Sequence, residues 1–266
     1  MVYAIAKSLG FLPRFVMCTR PPGEDVYEVL VTGVDAVGVL HKISGVISDA
    51  GVNFVFAHGQ VDEARKNFTH AYFCELAGAK VAPEELAKRL RTLPFVSEVR
   101  LGPMKGMMFE KFMFPVASIF ADRMLNLGAG AFVEMEERLV EIFGTAGETM
   151  SYEQGKAYAE STIKALEQYR QRVGAEWDID NIQDLFRAEG WGVATVKQSP
   201  DGYDVRVKPA SVSARADGGS GPGRFVVGLL VGMLLVHSKG HLAAGPLNHD
   251  AEADEYYFSI KKVKYG

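Results

Sequence analysis

The chain has 266 residues, a formal net charge of −4, 48% hydrophobic and 23% charged residues, which are ordinary values for a globular protein with one large domain or two modest ones. Its two cysteines, Cys18 and Cys74, exclude a disulfide framework and a multi-cysteine zinc site and suit a reducing cytoplasm. Lys and Arg are scattered among Asp and Glu, so no overall pull toward nucleic acid is expected. The opening MVYAIAKSLGFLPRF lacks the pattern of a signal peptide. The longest apolar run, residues 225–236, has 12 residues where a membrane-spanning helix needs about 20, so no membrane partner is expected.

Residues 1–24 run from apolar residues into a Pro21-Pro22-Gly23 breaker and read as an N-terminal arm. Residues 26–34 are rich in β-branched residues, with Val29 and Val31 on one face, and predict a strand. From Gly38 the period changes. Val39, Ile43, Val46 or Ile47, and Ala50 recur at helical spacing, and Gly51 closes that helix as a left-handed cap. Two further strands are expected at 53–61 and 68–76 around a polar turn, with Phe68, His70, Tyr72 and Cys74 alternating along the second. Pro83 suits the first position of a second helix. Glu84 and Glu85 near its start, and Lys88, Arg89 and Arg91 near its end, complement the helix dipole. Leu86, Leu90 and Leu93 form its buried stripe, and residues 96–101 make a last short strand. The order β-α-β-β-α-β predicts an antiparallel sheet with both helices on one face, a ferredoxin-like α+β domain over 25–102.

Gly102-Pro103-Met104-Lys105-Gly106 reads as a linker, set at 103–108, and the second domain takes 109–266. There, Val116, Ile119, Phe120 and Met124 share a helical face, and Gly128 to Gly130 break the chain. Phe132, Met135, Leu139 and Ile142 predict the next buried stripe. Ser151-Tyr-Glu-Gln154 reads as a capping box opening a helix through Ala159, Ile163 and Leu166. A short helix at 181–189, a hairpin of 192–198 with 203–207, a long flexible loop at 211–223, an apolar helix at 225–236 and a strand at 255–263 complete a second α+β domain. Phe109, Phe112 and Phe114 read as core or interface.

The most informative local sequence is Asp35-Ala-Val-Gly-Val-Leu40, followed by Gly51-Val-Asn-Phe54. Gly38 lets the backbone turn tightly and approach a ligand. The first amides of the helix are unpaired donors with partial positive charge, a place that suits a carboxylate. Asn53 starts the second strand and is expected close to the same turn, where its amide can both donate and accept. The same residues also fit a purely structural role, with Gly38 permitting the turn and Asp35 and Asn53 capping loops. An aspartate in that loop favours an ammonium group over a carboxylate. His237, His241 and His249 could hold a metal only on a continuous helix, which Gly240 and Gly245-Pro246 argue against, so no metal site is expected. No catalytic nucleophile motif, P-loop or dinucleotide fingerprint is present, and neither catalytic residues nor a cofactor are expected.

On D-x-x-G-V-L, an amphipathic helix and G-V-N-F, residues 26–101 resemble the ACT domain, a small-molecule-binding module of amino-acid metabolism. Where that family usually has proline before the glycine, this chain has Val37. The resemblance implies a ligand site at Asp35, Val37, Gly38, Val39, Leu40 and Asn53, often shared across a dimer interface. The second half resembles the 4-vinyl reductase domain through Phe143-Gly-Thr-Ala-Gly-Glu148, L-F-x-x-x-G-W-G at 185–192, V-R-V-K at 205–208, F-V-V-G-L-L-V-G at 225–232 and Y-Y-F-S-I at 256–260. That likeness implies an α+β fold, often dimeric, around an apolar ligand cavity. The cysteines many members carry are absent here, Tyr256 standing near the last of them, so no cysteine-based zinc site is expected. Gly228 and Gly232, four apart on one helix face, allow close helix packing.

Together these readings predict a cytoplasmic, homodimeric, non-enzymatic sensor. It would bind an amino acid or similar metabolite in its first domain, and an apolar ligand or a second copy through its second. The alternatives are a reductase-like enzyme using the second domain's cavity and a structural dimerisation adaptor.

Overall fold

A computed structural model describes residues 18–19, 25–62, 65–104, 107–108, 111–113, 127–173, 178–210, 212–214, 220–235, 238 and 240–263. The rest of the arm, Phe109, Phe114, the stripe from Val116 to Met124 and His237 lie outside the described residues. The chain divides into two compact units, one over Arg14–Pro115 and one from Val116 onward. Both are mixed α+β with antiparallel sheets, as the sequence predicts.

The first unit runs β1 (Cys18–Thr19), β2 (Val26–Val34), α1 (Val39–Asp49), β3 (Asn53–Asp62), β4 (Asn67–Glu75), α2 (Pro83–Arg91), β5 (Val96–Met104) and β6 (Met107–Met108). The four long strands form one sheet in the order β3-β4-β2-β5. The core closes between sheet and helices on Val29, Val31, Ile43, Ile47, Phe68, Tyr72, Leu86, Leu90 and Val99. Ile43 and Ile47 are fully buried, each contributing about 1.5–3 kcal/mol. Gly51 ends α1 at φ 70° and its N–H reaches the Ser48 carbonyl, the cap read from sequence. Pro83 opens α2, with Glu84 and Glu85 in the first turn and three basic residues in the last.

The segment taken for a linker belongs in part to this unit. β5 continues through Pro103 to Met104, β6 pairs with β1, and the first compact unit extends to Pro115. The physical reason is position. β5 is an edge strand, where a proline's missing N–H costs nothing if it faces outward, so Gly-Pro there does not break the ladder.

The second unit runs α3 (Ala129–Phe143), α4 (Thr145–Val173), α5 (Ile179–Ala188), β7 (Gly192–Ser199), β8 (Gly202–Pro209), β9 (Ser213–Ala214), β10 (Ser220–Gly221), α6 (Gly223–Leu234), β11 (His241–Ala244), β12 (Asn248–Asp250) and β13 (Glu255–Val263). β11, β13, β8 and β7 are neighbours in that order, and β12 also pairs with β13. The apolar run forms α6, buried along almost its whole length and packed among Val205, Val207, Phe258 and Ile260. Asp178 and Asn181 form a reciprocal capping box on α5. Gln183 accepts the Val196 N–H at 2.8 Å and so blunts the open edge of β7.

Three local expectations are corrected here. Met135 and Ile142 point to solvent, while Glu136, only 7% exposed, turns inward. Ser151 opens no helix, because α4 begins at Thr145 and carries Ser151 in its interior. One interaction explains both. Glu136 Oε1 accepts the Ser151 hydroxyl and, at 3.0 Å, the Phe225 N–H, so a carboxylate from α3 caps the positive end of α6. The third is the 211–223 loop, in which β9 and β10 pair and α6 starts at Gly223.

Candidate functional site

β2 ends against the loop that precedes β5. The Val34 N–H donates to the Phe95 carbonyl at 2.9 Å, and a side chain at Gly33 would meet that same carbonyl. The chain then turns. The Asp35 N–H donates to the Lys66 carbonyl at 2.7 Å and the Val39 N–H to Ala36 at 3.2 Å. Gly38 stands at φ 86° as the N-cap of α1, a conformation glycine adopts freely. Among the described residues no side chain caps this helix start, and no acidic residue stands in its first turn. Those amides therefore keep the partial positive charge of a helix start without a capping side chain. Lys66, the brace for Asp35, itself has φ 53°, a conformation a non-glycine residue holds only where its surroundings enforce it.

Of the predicted site residues, Asp35, Val37, Gly38 and Leu40 lie exposed around this turn. Val39 does not join them, because its side chain is buried in the core and offers the site only its backbone. Val37, Leu40 and Val34 are large apolar side chains left in solvent around the turn. Asn53 lies elsewhere. Val34 pairs with Asn67 and Asn53 with Glu75, so the two ends are eight residues of β4 apart, roughly 27 Å at the rise of a strand. Within one copy Asn53 cannot serve the turn, and the expectation that it stands close by is overturned.

His70, on β4, lies on the side of the turn. Its ring covers Gly59, its Nδ1 lies 3.1 Å from the Tyr72 hydroxyl, and Asp35 is close enough to act on its charge. Burial pulls the His70 imidazole below its ordinary pKa, and the Asp35 carboxylate partly opposes this. Burial also pushes the Tyr72 phenol up and the Cys74 thiol up to about 12. Phe68, His70, Tyr72 and Cys74 alternate along β4, and Phe68, Tyr72 and Cys74 of that face are buried in the helix-covered core, a signal that was available in the sequence.

A pH prediction follows from His70. With the folded pKa depressed, the unfolded chain takes up the proton first as pH falls. The contribution is whole above about 6.5, the unfolded value, and is lost as pH drops toward the lower folded value. His70→Gln is expected to flatten this acid slope in urea melts of the full chain between about pH 7 and 5. An unchanged slope would show that His70 does not carry it.

In the second unit Phe132, Tyr158, Trp191 and Phe225 pack ring against ring, at centroid separations of 4.9 to 6.1 Å. The Trp191 indole N–H donates to Glu189 at 2.9 Å. Burial raises the Glu189 carboxyl above the usual range, against the hydrogen bonds from Trp191 and Tyr158. Their edge-on and tilted geometries are the arrangements aromatic pairs favour. His241 lies on β11 and His249 on β12, where its ring stacks on Tyr256 at 4.4 Å. Among the described residues no cluster of His, Cys, Asp and Glu could hold a metal, and no helix is long and apolar enough to cross a membrane.

Neither a protein-family model nor a curated protein matches the chain. Several solved structures are similar to parts of it, among them the following three. The ACT domain of the GTP pyrophosphokinase of Chlorobium tepidum is 21% identical, with 29% of this chain and 97% of that one covered and a TM-score of 0.25. The C-terminal domain of the MgtC protein of Mycobacterium tuberculosis is 18% identical over 32% of this chain and 94% of its own, with a TM-score of 0.27. A formyltetrahydrofolate deformylase from Pseudomonas syringae pv. tomato is 14% identical with a TM-score of 0.28, and the match spans 30% of this chain and 28% of the deformylase.

Proposed function

We propose that this protein is a non-enzymatic sensor that binds an α-amino acid, or a metabolite of similar polarity, at the 35–38 turn. The observation that carries the reading is the start of α1, where Gly38 is left-handed, no side chain caps the helix, and Asp35 stands exposed beside it. A zwitterion suits that pair. Its carboxylate meets the helix amides and its ammonium meets Asp35, while Val37 and Leu40 offer apolar contact.

Two copies complete each site in this proposal. β3 is an open edge of the sheet, and Phe54, Val55 and Val61 on it are large apolar side chains left in solvent, the kind of edge that pairs with another strand. Two-fold antiparallel pairing of β3 with its copy carries Asn53 of the partner subunit to the Asp62 end of the first copy, the end where Asp35 lies. The separation that keeps Asn53 from its own turn thus suits it to the neighbour's.

We read the second unit as a 4-vinyl reductase-like domain that binds an apolar ligand or adds a second dimer contact, and the whole as a cytoplasmic regulator without membrane or nucleic-acid partners. The test is a thermal-shift screen of the full chain against the twenty amino acids and simple aromatic compounds at millimolar concentration. A ligand at a hundred times its Kd adds about 2.7 kcal/mol of stability. A flat screen sinks the sensor reading, and a flavin, haem or nicotinamide that copurifies favours a reductase in its place.

A further inference from the structure

Both helices of the first unit cover one face of its sheet, so the other face is expected to be polar and solvated. It is not. Val26, Phe73 and Met104 form a small buried cluster with Phe56 against them, and Glu28 beside them has no exposed surface at all. Phe56, Phe73, Glu28 and Gly102 stand in register across the four strands, so the carboxylate and the missing side chain are direct neighbours.

Both meet one short segment. The Lys111 N–H donates to Glu28 Oε2 at 2.8 Å, and the Lys111 ammonium donates to the Pro103 carbonyl. A β-carbon at Gly102 would fall 2.9 Å from Lys111 Cδ and within 3.1 Å of the Phe112 ring. Gly102 is therefore glycine for room, and Glu28 is an acceptor placed where a backbone amide arrives. A carboxylate on a buried sheet face is costly unless a hydrogen bond compensates it, and an apolar residue would serve the sheet better.

We infer that residues 111–113 form a separable strap, seated on Gly102 and clasped by Glu28, that closes the second face of the sheet where the chain leaves the first unit. The same strand β2 carries the clasp near its start and leads into the 35–38 turn at its other end.

Hydrogen exchange on the full chain tests this with three variants. Glu28→Leu removes the acceptor, Glu28→Gln keeps one, and Gly102→Val fills the seat with the carboxylate in place. The Lys111 amide is expected to exchange about ten-fold faster or more in E28L and G102V, and near the native rate in E28Q, while Val29 and Tyr72 keep their protection. Native protection of Lys111 in both E28L and G102V overturns the strap. Should E28L also lose protection at Val29 and Tyr72, G102V decides alone. Loss of core protection in both variants equally overturns the inference, because the segment would then belong to the core.

Discussion

Valine at Gly228 is expected to abolish the cooperative unfolding of the second unit. Gly228 lies on α6, where a β-carbon would come 2.0 Å from the Tyr152 carbonyl oxygen on α4. The approach is reciprocal. A β-carbon at Gly155 on α4 would meet the Phe225 carbonyl at 2.0 Å, and one at Gly232 would meet the Ala159 side chain at 2.5 Å. Overpacking usually costs about 1–3 kcal/mol because side chains yield, but here the obstacle is backbone. The helices must part along an interface in which Leu229, Leu230, Val231 and Met233 are fully buried, and every contact along it is lost at once. The cost is expected to exceed about 4 kcal/mol, against a total of about 5–15 kcal/mol for a domain. Calorimetry with hydrogen exchange checks this. The amides of α6 and β13 should lose protection while those of β2 and β4 keep theirs. A native transition in G228V would mean that the two helices do not meet through backbone.

That helix pair was partly legible in the sequence. A run as apolar as FVVGLLVGMLLV has no polar face, so it reads as a buried helix, and its glycines four apart announce a close neighbour. The neighbour's identity was not legible, because Gly155 carries no such pattern around it. The βαββαβ order of the first unit was legible element by element, since each change of period is local and Gly51 and Pro83 mark helix ends by their own backbone limits. The failures share a cause. Pro103 continues a strand only because β5 lies at an edge. Glu136 turns inward only because α6 brings its uncapped amides there from far along the chain. Tertiary partners decided both cases, and no window of sequence around either residue contains them.

The site divides in the same way. Gly38 was legible because a left-handed turn before an amphipathic helix has a local signature, and its φ of 86° agrees. Val39 shared the motif but belongs to the helix's buried stripe with Ile43 and Ile47, which its spacing already implied. Asn53 was placed near the turn on its position at the start of the second strand, and strand direction is what separates it from the turn. β3 starts beside Glu75, at the end of the sheet opposite the turn.

That separation makes the second prediction a complementation. If each site joins the turn of one copy to the partner's Asn53, then Gly38→Val and Asn53→Ala each empty both sites of their own homodimer. Gly38→Val puts a β-branched residue where φ is 86°, strained in any surroundings, and Asn53→Ala removes an exposed amide and leaves the fold intact. The ligand-induced thermal shift found with the native chain, read with the same amino acid at the same concentration, should vanish in each variant alone. Mixed and exchanged, the two variants form heterodimers in which one site pairs an intact Gly38 turn with an intact Asn53 and the other pairs both defects. Random exchange leaves about a quarter of all sites whole, and isothermal titration should report that stoichiometry with native affinity. Sites built within one copy would give no recovery on mixing, whatever the oligomeric state. If Asn53→Ala binds as the native chain does, the turn works without it, and the open edge of β3 would then serve association alone.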